Sequence, residues 1–248
     1  MKKFGLIGHP IAHSLSPALF KAAYDGKYAY DLIEGEDFET SYRRFIEEYD
    51  AINVTAPFKE AAFAKADILS EECASTGATN LLVKTPEGIK AYNSDFLGVR
   101  MWLSEVTEDL KGVKILIVGL GGAGKAAAAA AESLGMDVIR MNRTVRDSQT
   151  HPLDDFRKCF RKANIIIYNI PAAIPELKEL TDSDFNEDKP KLILEANYKD
   201  PSLRETMESF GSKAVYTGGE TWLLYQAMTG YEILTGEKPD LTKMSDVL

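Results

Sequence analysis

Three stretches of the chain combine residue types and spacings suited to chemistry. Val118-Gly119-Leu120-Gly121-Gly122-Ala123-Gly124 sets glycines at G-x-G-x-x-G spacing, after an apolar run and before an alanine-rich one. In a strand-to-helix turn the first glycine makes the tight bend and the second admits a pyrophosphate close to the backbone. The helix N-terminus then offers free N–H groups and positive dipole to the phosphates. Asn53-Val54-Thr55-Ala56-Pro57-Phe58-Lys59 delivers a hydroxyl and an ammonium after a short apolar run, and Asn93-Ser94-Asp95 delivers an amide and a carboxylate. Each has a plainer alternative: Lys59 as a solvated surface charge, Asp95 as a helix cap.

Two further segments extend these. His13-Ser14-Leu15-Ser16-Pro17 sets two hydroxyls where Ser16 and Pro17 open a helix, a place that welcomes a carboxylate; capping by Ser16 alone is the alternative. Met141-Asn142-Arg143-Thr144, with Arg146 behind it, falls 21 residues past Gly121. An acidic residue there would bond ribose hydroxyls and repel a 2′-phosphate, whereas an amide, a hydroxyl and guanidinium groups suit one. NADP(H) is therefore expected over NAD, with Arg143 as a mere strand-end charge the alternative.

The elements that must position these groups alternate along the chain. Strands are expected at Phe4–Gly8, Tyr28–Leu32, Ala51–Val54, Val113–Val118, Asp137–Met141, Asn164–Ile170, Leu192–Ala196 and Ala214–Tyr216, with a hairpin joining Leu81–Val83 to Ile89–Tyr92. Helices are expected from Ser16, over Phe38–Tyr49, from Asp95 with Val106 on its apolar side, and over Ala126–Leu134, Asp154–Ala163, Pro201–Phe210 and Trp222–Leu234. This alternation predicts an α/β protein. Val113–Val118 is a near-continuous apolar run of the kind buried on both faces of a parallel sheet, and a domain boundary is placed near residue 100.

Composition excludes several other classes. The 248 residues carry 29 Lys and Arg against 38 Asp and Glu, a net charge of −9, so nucleic acid is not the expected partner. The least polar stretch, Ile115–Ala131, is interrupted by Lys125 and rich in glycine, so no membrane span is expected, and Phe4–Ile7 is too short for a secretory signal. Cys73 and Cys159 suggest no disulfide framework, which makes the cytoplasm the expected compartment. His9, His13 and His151 form no ligand pair, and no metal is expected.

Taken together, the segments resemble the shikimate dehydrogenase family. The likeness runs through Ser14-Leu15-Ser16-Pro17, Asn53 to Lys59, Gly77-Ala78-Thr79-Asn80, Asn93-Ser94-Asp95, the glycine turn, Asn142-Arg143-Thr144, Tyr198, and Gly219 through Gln226-Ala227. The resemblance implies an N-terminal α/β substrate domain, residues 1–100 with 222–248, and a Rossmann-type NADP-binding domain, residues 101–221, the C-terminal helix returning to the first. It implies reversible reduction of 3-dehydroshikimate to shikimate with NADPH, a step towards chorismate and the aromatic amino acids, by a monomer or homodimer whose cleft closes over its ligands. Lys59 and Asp95 would be the catalytic pair. Ser14, Ser16, Thr55, Asn80, Asp95, Tyr198 and Gln226 would hold substrate, the two serines on its carboxylate. Gly119, Leu120, Gly121, Gly122, Ala123, Asn142, Arg143, Thr144, Arg146, Ala196 and Gly219 would contact the cofactor.

The sequence departs from the family pattern at Phe96, where Gly is usual, at Trp222, where Met is common, and at Asn169-Ile170-Pro171, where Asn-x-Thr is usual. Arg146 falls one place early, which leaves 2′-phosphate recognition mainly to Arg143. The alternatives are a quinate/shikimate dehydrogenase and a non-catalytic NADP(H)-binding sensor. The paired serines and Asn142-Arg143-Thr144 favour shikimate with NADP, and a sensor would need neither Lys59 nor Asp95.

Overall fold

A computed structural model describes residues 2–248. In chain order the elements are β1 (Lys3–Gly8), α1 (Ser16–Ala23), β2 (Ala29–Glu34), α2 (Phe38–Glu48), β3 (Ala51–Val54), α3 (Lys59–Ala64), β4 (Ile68–Leu69), α4 (Glu71–Thr76), β5 (Leu81–Thr85), β6 (Gly88–Tyr92) and α5 (Ser94–Val106). They continue as β7 (Lys114–Val118), α6 (Gly122–Ser133), β8 (Asp137–Met141), β9 (Thr150–His151), α7 (Phe156–Lys162), β10 (Ile165–Tyr168), β11 (Lys191–Glu195), α8 (Arg204–Glu208), β12 (Ala214–Thr217), α9 (Gly219–Thr235) and α10 (Leu241–Ser245), with short 3-10 turns between them. The chain forms two compact units, Met1–Gly98 with Leu224–Leu248 and Val99–Leu223, whose boundaries fall inside α5 and α9.

The first unit is built on a mixed sheet in the order β2-β1-β3-β5-β6-β4. β1, β2 and β3 run parallel, and β5 returns antiparallel to β3 through Leu81 opposite Asn53. The β5–β6 hairpin pairs Thr85 with Gly88 across Pro86-Glu87, and Gly88 takes a left-handed φ of 132° there. Both faces of the sheet are covered, which is why β1 and β3 are buried along nearly their whole length. On one face Ile7, Ile33, Ile52 and Val54 pack with Phe38, Phe45 and Tyr49 of α2 and the residue after it. On the other, Phe4 and Phe20 join Tyr28, Tyr30 and Tyr231 in tilted and edge-on ring contacts.

The second unit carries a wholly parallel sheet in the order β12-β11-β10-β7-β8-β9. Counted within the unit this is 6-5-4-1-2-3, the doubly wound dinucleotide order, whose direction reverses between β7 and β10. Ala126, Ala127, Ala130 and Ala131 of α6 are fully buried; side chains this small let the helix lie close on the sheet.

Several expectations need correction. α6 begins four residues before Ala126, directly on the glycine turn, and α9 begins at Gly219 rather than Trp222. Helix over Pro201–Phe210 shrinks to Arg204–Glu208. α3, α4 and α10 were not anticipated, because five or six residues are too few to show helical periodicity. Val106, expected on an apolar face, is 36% exposed at the last position of its helix.

Candidate active site

In the first unit the chemistry-bearing residues collect at one sheet edge. β1 and β3 end there, β6 ends there, and antiparallel β5 begins there, with Val54 N–H donating to the Asn80 carbonyl (2.8 Å) and Leu81 opposite Tyr92. The carboxyl edge is where open α/β sheets bind ligands. After β3, a turn through Thr55 and the cis Ala56–Pro57 bond leads to Lys59, the first residue of α3. Lys59 Nζ donates to Asp95 Oδ2 at 2.5 Å, with side-chain exposures of 23% and 8%.

Asp95 reaches that contact because another residue caps its helix. Asn93 Oδ1 accepts from the Phe96 N–H (3.2 Å), and its carboxamide donates to Thr76 Oγ1 (3.2 Å) and the Ala78 carbonyl (3.1 Å). The plainer reading of Asp95 as the cap is therefore not what forms. Gly77 ends α4 with a left-handed φ of 64°, and Thr79, fully buried, donates to the Leu81 and Tyr92 carbonyls. Asn80 is presented by this rigid turn: Oδ1 accepts from the Ser94 N–H (2.7 Å) and Nδ2 donates to the Ser94 hydroxyl (3.0 Å). Ser94 in turn donates to Gln226 Oε1 on α9 (3.3 Å). Ser94, fully buried, was overlooked as a site residue; its place between Asn80 and Gln226 appears only once the sheet brings β5 and β6 together.

Ser14 and Ser16 sit at the start of α1. Ser16 does not cap: the cap position is Leu15, which has no side-chain bond, and Ser16 and Pro17 are already helical. Ser14 Oγ instead accepts the Ser16 N–H (3.2 Å) and donates to Ser16 Oγ (3.1 Å). The Ser16 carbonyl accepts from Tyr231 of α9 (3.1 Å). Since Pro17 has no N–H and the Ser14 hydroxyl proton is directed at Ser16, the donors left for a ligand are the Ala18 N–H and the Ser16 hydroxyl, and the Ser14 hydroxyl joins them by turning away from Ser16. The Thr55 side chain is half-buried at the end of β3.

The second unit holds the remaining residues in two groups. Gly119 turns the chain after β7 with φ 87°, and Gly124 lies so close to the Gly119 carbonyl that a Cβ would overlap it. Gly121, the residue before α6, has nothing within 4 Å of where a Cβ would stand. Open space at the second glycine, with a helix start behind it, could hold a pyrophosphate close to the backbone. Leu120 donates to Asn142 Oδ1 (3.3 Å), and Asn142 Nδ2 donates to the Thr144 carbonyl (3.2 Å), so Asn142 ties the end of β8 to the glycine turn. Arg143, Thr144 and Arg146 are exposed, and among the described residues neither guanidinium has an ion-pair partner. The other group follows β11: a Cβ on Gly219 would stand 2.5 Å from Tyr198 N and 2.8 Å from the Ala196 carbonyl, so Ala196, Tyr198 and Gly219 are in contact. Burial raises the half-buried Tyr198 phenol above its ordinary value.

Phe96 and Trp222 are both buried. Among the described residues, no three His, Cys, Asp or Glu gather to hold a metal ion, and no helix is long and apolar enough to cross a membrane.

The fold, with these groups in each unit, defines a class, an α/β oxidoreductase dependent on a nicotinamide nucleotide. Residues 6–82 match the model for the shikimate dehydrogenase substrate-binding domain, and residues 88–194 that for the NAD-binding domain of D-isomer-specific 2-hydroxyacid dehydrogenases. The NADP(+) shikimate dehydrogenase of Staphylococcus aureus strain bovine RF122 is 31% identical across 98% of this chain and 96% of its own length. That of Thermotoga maritima is 29% identical across 93% and 92%. The crystal structure of shikimate 5-dehydrogenase from Thermus thermophilus, in complex with NADP(H) and shikimate, superposes with a TM-score of 0.80 at 26% identity, covering 100% of this chain and 98% of that one. The chain belongs to the shikimate dehydrogenase family.

Proposed function

We propose that this protein is an NADP-dependent shikimate dehydrogenase, reducing 3-dehydroshikimate reversibly to shikimate. The observation that carries the reading is the Lys59–Asp95 pair at the carboxyl edge of the first sheet, in a chain that matches named shikimate dehydrogenases over nearly its whole length. The second unit fits NADP(H): an open glycine cradle for the pyrophosphate and two unpaired guanidinium groups for the 2′-phosphate.

When bound, NADPH supplies the hydride. As the ketone becomes an alcohol its oxygen gains negative charge, and Lys59 meets that charge with a hydrogen bond and then a proton. In the oxidative direction Lys59 takes the proton back. Asp95 accepts from the ammonium, fixes its direction and accepts from a neighbouring ring hydroxyl. Ser14 and Ser16 bind the substrate carboxylate with their hydroxyls, while Asn80, Gln226, Thr55 and Tyr198 address the ring hydroxyls. Asn80 brings one uncommitted N–H to this task, since Ser94 takes its oxygen and its other N–H. Glycines 119, 121 and 122, with Leu120 and Ala123, hold the pyrophosphate. Arg143, aided by Thr144, Asn142 and Arg146, holds the 2′-phosphate, and Ala196 and Gly219 border the nicotinamide. Two free, buried cysteines support a cytoplasmic enzyme in this reading, acting as a monomer or homodimer.

The test is reduction of the cofactor, NADP to NADPH or NAD to NADH, by the purified protein given shikimate or quinate. Rapid turnover only with shikimate and NADP is expected. Comparable turnover of quinate would reassign it to the quinate/shikimate branch, and cofactor binding without turnover of either would make it a sensor.

A further inference from the structure

One buried carboxylate, which none of the steps above uses, stands behind the Ala196–Tyr198–Gly219 group. Glu195 is the last residue of β11 and is fully buried. Its Oε1 accepts from the Ser202 N–H (2.6 Å) and the Ser202 hydroxyl (2.9 Å). Its Oε2 accepts from the Leu203 N–H (3.2 Å) and the Tyr216 hydroxyl (2.7 Å). A carboxylate is costly to bury unless its oxygens are satisfied, and here all four partners are donors, two on each oxygen. Burial, and then the bond to Glu195, push the Tyr216 phenol well above its ordinary range, so it remains a donor.

These bonds close residues 196–203 into a loop whose two ends meet on one side chain. Ala196 follows Glu195 directly, Tyr198 lies two residues further on, and Gly219 packs against the Asn197–Tyr198 backbone with no room for a Cβ. A shift of the loop would therefore move all three groups at once. Glutamine could not replace the carboxylate, because its NH2 would face two donors on one side.

We propose that Glu195 is a positioning residue, which sets the Tyr198 hydroxyl on the substrate and the Ala196 and Gly219 backbone beside the nicotinamide by closing the loop between them. It touches neither ligand, and the assignment rests on the shikimate dehydrogenase reading. Misplacement of a contact group by about 1 Å is enough to cost up to roughly a hundredfold in rate.

The experiment compares wild type, Glu195→Gln, Tyr198→Phe and the double variant, measuring kcat and KM for shikimate and the Kd for 2′,5′-ADP. This fragment reaches the glycine turn and Arg143 but carries no nicotinamide. Glu195→Gln is expected to lower kcat/KM for shikimate by at least about tenfold, with 2′,5′-ADP binding within about twofold of wild type. In the Tyr198→Phe background the same substitution should cost much less, because the group being positioned is gone. Glu195→Asp, an acceptor on a shorter stem, should recover part of the loss. If Glu195→Gln does not fold, Tyr216→Phe, which removes one donor and leaves three, carries the same comparison at smaller size.

Unchanged kcat/KM, full additivity with Tyr198→Phe, or an equal loss of 2′,5′-ADP affinity would each overturn the assignment. Wild-type protein inert towards shikimate would overturn the functional reading and this one with it, whereas active wild type with an indifferent variant overturns the assignment alone.

Discussion

Lys59 and Asp95 are 36 residues apart in sequence and 2.5 Å apart in space, and the contact exists because Asn93, not Asp95, caps the helix that carries the carboxylate. Had Asp95 bonded the first-turn N–H groups, as acidic residues at helix starts commonly do, Lys59 would have faced the ligand without a partner to direct it. Lys59→Ala should therefore lower kcat by roughly 10²- to 10⁴-fold, the usual worth of a general acid, with little change in NADP(H) affinity. Asp95→Asn should also lower kcat, by removing the acceptor that aims the ammonium. Near wild-type turnover in the lysine variant would take Lys59 out of the mechanism.

The glycine turn makes a prediction in which two similar substitutions behave differently. Gly124 has no room for a side chain against Gly119, so Gly124→Ala must push α6 off the sheet, at a cost of about 1–3 kcal/mol, seen as a lower urea midpoint. Gly121 has ordinary backbone angles, φ −70° and ψ −171°, and open space around its Cβ position. Gly121→Ala should leave the urea midpoint unchanged and raise the KM for NADPH, because the methyl enters the space assigned to the pyrophosphate. Unaltered cofactor binding in that variant would mean that the cradle holds something else.

Arg143 and Arg146 are exposed and, among the described residues, have no ion-pair partner, so neither has a structural duty there that its loss would disturb. Arg143→Ala should raise the KM for NADPH roughly tenfold to a hundredfold, the scale of a hydrogen bond to a charged group, and leave the KM for NADH nearly unchanged. Arg146→Ala should do less. Equal effects on the two cofactors would sink the 2′-phosphate assignment.

The glycine turn was legible because its demands are local: a left-handed φ at Gly119 and close packing at Gly124 are properties of a few consecutive residues. The same holds for β7, whose apolar run already implies burial on both faces. The Asn80–Ser94–Gln226 chain was not legible, since it depends on β5 running antiparallel and so starting at the edge where β3 and β6 end. The roles of neighbouring polar residues were equally hidden. Asn93, Ser94 and Asp95 are three polar residues in a row, and only the packed turn at Thr76–Asn80 decides which caps, which bridges and which meets Lys59. Glu195 gave no signal at all, because all four of its partners lie at least seven residues away.

Lys191 provides a test through pH. It opens β11 fully buried, with Nζ donating to the Ala163 carbonyl (2.5 Å) and the Arg161 carbonyl (3.4 Å) at the end of α7. Burial lowers its ammonium from 10.5 to about 8, although Asp184 opposes the change. Between pH 8 and about 10.4, the value for an unfolded lysine, the unfolded chain binds a proton that the native chain lacks. Unfolding then takes up a proton, so this residue makes the native state gain stability as pH rises through that window. Two buried thiols oppose it there: Cys73 and Cys159 are raised by burial, Cys73 to about 11, so their contribution falls with rising pH. Wild-type stability alone would mix these effects, but the difference between wild type and Lys191→Met cancels the thiols. That difference, measured as urea midpoints from pH 7 to 10, should shift in favour of wild type as pH rises. A difference independent of pH would show that Lys191 keeps an ordinary ammonium despite its burial.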